Sequence, residues 1–204
     1  MMRFYTGTCQ QSDMQRYQAL GAVFNLDPKR QLRFFSRGMQ KQAALWLGLC
    51  CRPDVILLDE PVDGLDPVMR RTVWNLILED VKQRHTTVFV SSHNLRELED
   101  VCDHVGIMHK GAIVLQRALA DLQSDILKLQ IAFTGEVPPE MRMFNILHTA
   151  QSGRVYEYII RGNQRDVLAQ VQALNPVLAD ALPLSLEEIF IYELGGMDYA
   201  EIVI

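Results

Sequence analysis

The segment Val55-Ile56-Leu57-Leu58-Asp59-Glu60-Pro61-Val62-Asp63-Gly64-Leu65-Asp66-Pro67 decides how the chain folds. Its opening run of apolar residues is too short for a buried helix and fits a buried strand. A strand apolar on both faces belongs in a parallel sheet covered by helices, where ligands gather at the carboxyl ends of the strands. Asp59 and Glu60 stand at that end. Pro61 has no N–H to give to a ladder, so it stops the strand and stiffens the exit. Gly64 permits a tight turn, Asp66 can cap a helix, and Pro67 suits its first position.

Downstream, Met69, Val73, Leu76, Ile77 and Val81 recur at helical spacing, which predicts an amphipathic crossover over residues 67–84. Thr87-Val88-Phe89-Val90 then reads as a second buried strand, completing a βαβ unit. It too ends in polar residues, Ser91-Ser92-His93-Asn94. Parallel neighbours put their carboxyl ends on one edge, so His93 is expected beside Asp59 and Glu60.

The 204 residues suit one large domain or one and a half. An apolar content of 49% is ample for a core, and a formal charge of −5 gives no support for a nucleic-acid partner. Cys9, Cys50, Cys51 and Cys102 lack metal-like pairing and read as reduced thiols in apolar context. The sequence shows neither a membrane-spanning run nor a signal-peptide pattern.

Upstream, residues 1–32 lean helical, with Met14, Tyr17, Leu20, Gly21 and Phe24 on one stripe, and Asn25-Leu26-Asp27-Pro28 marks a turn. No strand opens the chain, and no G-x-x-x-x-G-K-[ST] phosphate loop occurs in it. The next stretch is Phe35-Ser36-Arg37-Gly38-Met39-Gln40-Lys41-Gln42, leading into an apolar helical pattern. Ser36 is a good N-cap, so Ser36, Arg37 and Gly38 form the positive end of a helix dipole, suited to an anion. Gly38 would let backbone approach a phosphate, and Arg37 adds charge.

Taken together, these motifs resemble the nucleotide-binding subunit of ATP-binding cassette (ABC) transporters, in the part downstream of its P-loop and Q-loop. Phe35-Ser36-Arg37-Gly38-Met39 is similar to the L-S-G-G-Q signature, residues 55–60 to the Walker B strand with its glutamate, Gly64-Leu65-Asp66-Pro67 to the D-loop, and His93 to the switch histidine. Arg37 replaces a signature glycine and Met39 its glutamine, as in a bacterial exporter-type branch. The resemblance implies an α/β fold, a partial P-loop NTPase core with parallel strands and helices. It also implies ATP and Mg²⁺ as cofactors, a second nucleotide-binding subunit and an integral-membrane permease as partners, and a cytoplasmic location on the inner face of the membrane. Asp59 would hold Mg²⁺ through water, Glu60 would be the general base and His93 would contact the γ-phosphate. Ser36, Arg37, Gly38 and Met39 would complete the opposite subunit's site, and Gly64, Leu65 and Asp66 would lie at the dimer interface. Lacking the phosphate loop, the chain is expected to be an incomplete head, exposing apolar surface beside residues 55–58 and inactive alone.

Val105-Gly106-Ile107-Met108 and Ala112-Ile113-Val114-Leu115 flank a Lys110-Gly111 hairpin signal before the core ends near Asp125. Beyond Asp125 the character changes. Leu127, Leu129, Ile131 and Phe133 then alternate with less apolar residues, and so does the stretch 155–160. Val167, Leu168, Val171 and Leu174 stripe one helix, and Ser185-Leu186-Glu187-Glu188 is a capping box that opens another. The expected division is therefore 1–125, the ATPase portion, and 126–204, a small α+β accessory domain.

Two other function classes share parts of this pattern. The ATPase head of a chromosome-organising or DNA-repair protein pairs a signature with a Walker B strand, but no heptad-rich coiled coil precedes Ser36. A non-enzymatic remnant could act as an interaction module, though the intact Glu60 and His93 argue against long decay. His85, His104, His109, His148, Trp46 and Trp74 carry the bland reading of surface, core or satisfied residues.

Overall fold

The structure, a computed structural model, describes residues 13–194. By packing it divides into two compact units, one ending at His93 and one beginning at Asn94.

The first unit starts with α1 (Met14–Phe24), capped by Asp13, whose side chain accepts from the Arg16 amide at 3.0 Å. Asn25 ends the helix in the left-handed region, at φ 49. The expected stripe is half right, since Leu20 and Phe24 are buried while Met14 is exposed. The part of the predicted helix over residues 1–12, and Cys9, lie outside the described residues. After a single 3-10 turn (Leu32–Phe34) comes α2 (Arg37–Cys50), which packs on α1. Tyr17 and Trp46 stack at 4.6 Å, and Trp46 Nε1 donates to the Tyr17 carbonyl at 2.9 Å. Gly21 makes room for that ring, because a Cβ there would come within 2.7 Å of Trp46 Cζ2.

β1 (Val55–Asp59), α3 (Pro67–Arg84) and β2 (Thr87–Ser91) form the βαβ unit, the strands parallel and in register from Val55↔Thr87 to Asp59↔Ser91. Parallel pairing needs a long crossover, and the helix of 18 residues supplies it. The covered strand expected from the apolar run is not formed, and the exposed apolar surface expected beside residues 55–58 is: Ile56 and Leu58 are half-buried, while Leu57 is 76% exposed and Phe89 on β2 is 62% exposed. The sheet has only these two strands among the described residues, and along both of them half-buried residues alternate with exposed ones.

Asp80 of α3 is a second departure from pattern, a carboxylate only 1% exposed inside an apolar stripe. Arg16 of α1 grips it with contacts of 2.7 Å to both oxygens, so the two helices share a buried ion pair. Cys50 is buried, and its burial pushes the thiol up to about 11.

The second unit opens with the short α4 (Leu95–Glu99) and the β3 (His104–His109)–β4 (Ala112–Ala118) hairpin. Lys110 at φ 48 and Gly111 at φ 81 make the turn, matching the right-handed twist of the strands. After α5 (Leu119–Ser124) come β5 (Ile126–Ala132), β6 (Asn145–Ser152), β7 (Val155–Arg161), α6 (Gln164–Gln172), β8 (Leu178–Leu182) and α7 (Leu186–Leu194). Their sheet has the order β6-β7-β5-β8, antiparallel throughout.

Both faces of β5 are covered. Leu127, Leu129 and Ile131 join Tyr158, Ile160, Val167 and Val171 in one core, while Ile126 and Ile159 join Leu122, Leu184 and Ile189 in another. The capping box forms as read: the Ser185 amide donates to Glu188 Oε2 at 2.9 Å, and the Glu188 amide donates to Ser185 Oγ at 3.2 Å. Packing places residues 94–125 with this unit, because α4 and α5 both rest on α7 and Leu122 belongs to its core.

Candidate functional site

The site forms where β1 and β2 end. Glu60 follows β1 in the left-handed region, at φ 44, a strained conformation for a residue with a side chain. Its amide donates to the Ser91 carbonyl at 3.0 Å, continuing the ladder by one bond. Its carboxylate is held from the second strand's exit: the His93 amide donates to Oε1 at 3.0 Å, His93 Nδ1 lies 2.8 Å from the same oxygen, and Ser92 Oγ donates to Oε2 at 3.3 Å. The His93 bond is the main cause that keeps the Glu60 carboxyl below the usual carboxylate range. The ring itself is 76% exposed.

Asp59, the last residue of β1, faces Ser91, whose hydroxyl donates to Asp59 Oδ1. A cavity of about 390 Å³ reaches this carboxylate between α2 and β1, bounded by Lys41, Leu45, Leu49, Val55, Leu57 and Asp59. Among the described residues no group of three or more His, Cys, Asp or Glu converges as a metal cage would.

The loop after Glu60 is firmly built. The Asp66 side chain caps α3, accepting from the amides of Val68 at 3.1 Å and Met69 at 3.0 Å, and Leu65 is buried. Gly64 sits at φ 76, where only glycine is free of strain.

At the start of α2, Ser36 caps as read, its Oγ accepting from the Met39 amide at 3.2 Å. Arg37 is exposed and Met39 half-buried. Gly38 has a neighbour that the sequence does not announce: a Cβ there would stand 3.0 Å from the Gly64 carbonyl oxygen. The first turn of α2 thus lies against the loop that carries Gly64, Leu65 and Asp66.

Asp59, Glu60, Ser91, Ser92 and His93 therefore converge on one edge, while Ser36, Arg37, Gly38 and Met39 form a helix start that touches the neighbouring loop. Ser91 and Ser92 are legible only as the polar end of a strand. Lys41, which bonds the Glu60 carbonyl, carries no sequence signal for that contact.

A protein-family profile described as "AAA domain, putative AbiEii toxin, Type IV TA system" matches residues 17–99. The ABC transporter ATP-binding protein YtrB of Bacillus subtilis (strain 168) is 32% identical over 85% of this chain and 59% of its own length. The bacitracin transport ATP-binding protein BcrA of Bacillus licheniformis is 29% identical over 83% of this chain and 58% of its own length. The chain thus spans less than two thirds of the length of these curated relatives. A solved ATP-binding subunit of an ABC transporter shares the fold, with a TM-score of 0.54 at 22% identity over 60% of this chain and 52% of its own. No described helix is long and apolar enough to cross a membrane.

Proposed function

For a chain homologous to the ATP-binding proteins of ABC transporters, we propose the part of an ATPase subunit that carries water activation and the signature face, powering transport through a separate membrane permease. The observation that carries this reading is the Glu60 carboxylate, fixed on a stiff exit by His93 and Ser92. Glu60 is the general base toward the attacking water, a carboxylate ionised at neutral pH and held in place by His93 and Ser92. His93 orients that carboxylate and, with ATP bound, would contact the γ-phosphate. Asp59 fits Mg²⁺ in the way that this ion is usually bound, through one or two carboxylates with water and phosphate completing its shell. Mg²⁺, when bound, neutralises charge on the phosphates; Asp59 would hold it through water.

In this reading Ser36, Arg37, Gly38 and Met39 offer a helix start to the ATP of a second nucleotide-binding subunit, while Gly64, Leu65 and Asp66 lie at the interface. The subunit works on the cytoplasmic side of the membrane, attached through the permease. Residues 1–125 carry the ATPase portion, and 126–204 form an accessory domain for dimer contact or regulation.

The 204 residues contain no G-x-x-x-x-G-K-[ST] loop, so calorimetry is expected to find no tight Mg-ATP site in the isolated chain. Tight binding would overturn the assignment of this chain to the signature and water-activating part alone. Turnover of this chain completed with the phosphate-loop segment of an ABC ATP-binding protein is expected to fall ~10²–10⁴-fold for Glu60→Gln. An unchanged rate would remove Glu60 from the role of base.

A further inference from the structure

We propose that Lys41 is the positioning residue for Glu60, a staple from α2 that holds the turn after β1 in the conformation that aims the carboxylate at His93. This rests on the reading of Glu60 as general base. Lys41 Nζ donates to the Glu60 carbonyl at 2.8 Å and to the Asp63 carbonyl at 2.8 Å, and the Asp63 carboxylate stands 3.6 Å away.

An ammonium has three protons to donate. Two of them are spent on carbonyls of one turn, and the nearby carboxylate balances the charge. A lysine close to the positive start of a helix would otherwise be taken for a phosphate ligand. Here its geometry faces inward to the protein's own backbone.

The need for a staple follows from the turn itself. Glu60 occupies the left-handed region at φ 44, a conformation that persists only when its surroundings fix it. Its amide is fixed by Ser91 and its side chain by Ser92 and His93. Lys41 fixes the third handle, the carbonyl, which also accepts a longer bond of 3.4 Å from the Asp63 amide. Gly38 lies one helical turn before Lys41 on the same face of α2, and it meets the loop at Gly64. The first turns of α2 and the 60–64 loop are therefore joined at two points, so a displacement at Ser36 or Gly38 is transmitted to Glu60 through Lys41.

The test uses the whole chain and no nucleotide. The His93 amide donates to the Glu60 carboxylate, so its proton resonance in a ¹⁵N-correlated NMR spectrum reports where that carboxylate points. Glu60→Ala defines the position of the resonance without the bond. Lys41→Met is expected to shift the resonance toward that position, Lys41→Arg to keep it near wild type, and Lys41→Gln, the variant to use if the methionine chain does not fold, to fall between. An unmoved resonance in Lys41→Met or Lys41→Gln overturns the staple, even where stability drops. So does a Glu60→Ala spectrum in which the His93 amide has not moved. In the chain completed with a phosphate-loop segment, Lys41→Met is expected to lower kcat with KM unchanged; a change confined to KM also overturns it. Loss of the hydrolysis reading would appear in turnover alone, since the amide measurement does not depend on ATP.

Discussion

Two of the three sheets among the described residues start from similar apolar runs and end in opposite states of cover. β1 and β2 pair in parallel, and Leu57 and Phe89 stand exposed on one face of the pair. β5 and β7 pair antiparallel at the centre of a sheet with order β6-β7-β5-β8, and Leu129, Ile131, Ile159 and Ile160 have essentially no exposure. Composition does not separate them. What separates them is how each face is covered: α6 lies on one side of β5, α5 and α7 on the other, while β1–β2 is half-buried on one face and exposed on the other. An apolar run thus states a demand for cover, and only neighbours decide whether the demand is met.

The sharpest way to break this comparison lies in the first unit, whose stability would then rest on its helices rather than on its sheet. Asp80→Ala strands Arg16 beside a buried hole and is expected to cost about 3–5 kcal/mol, read by tryptophan fluorescence in urea, since Trp46 and Trp74 both belong to this unit. A cost below about 1 kcal/mol would mean that the pair is solvated. In the second unit, Leu129→Ala should cost about 2–5 kcal/mol, followed by far-ultraviolet circular dichroism. Next comes Ser185→Ala, which removes the hydroxyl's two bonds with Glu188 while leaving the Ser185 amide bond, and is expected to cost about 0.5–2 kcal/mol by the same measurement.

At the exposed sheet the sign of interest is different. Leu57→Ser and Phe89→Ser should each change stability by no more than about 0.5 kcal/mol, yet together raise the concentration at which light scattering detects aggregation. A loss as large as that of Leu129→Ala would show the face to be covered in solution. The smallest effect is one of pH. Glu60 has a folded-state pKa below its ordinary 4.5, so its contribution is fully present above that value and is lost as pH falls through the folded one. Wild type should therefore lose stability over that acid window by more than Glu60→Gln does, and parallel acid titrations of the two would deny the His93 bond.

Much of the site was legible because its parts are local. Pro61, Gly64, Asp66 and Pro67 declare a strand exit, a turn and a helix start in one short segment, and the structure builds each of them. The hairpin at Lys110-Gly111 and the capping box at Ser185 are equally local. β6 and β8 were not legible, since Asn145–Ser152 and Leu178–Leu182 are partly polar edges whose only reason to be strands is the neighbour that each one pairs with. Asp80 was hidden for a related reason, because a carboxylate on a helix reads as solvated until a guanidinium from another helix is found beside it.

The sequence by itself determined the order of elements, the places where strands stop and helices begin, and the kinds of group that stand at the carboxyl ends of β1 and β2. Those follow from backbone chemistry within a few residues. Tertiary structure alone decided that Lys41 serves the turn at Glu60 and that Gly38 and Gly21 are small because Gly64 and Trp46 are close. Each of these depends on residues distant along the chain being brought within a few ångströms, and no local propensity carries that distance.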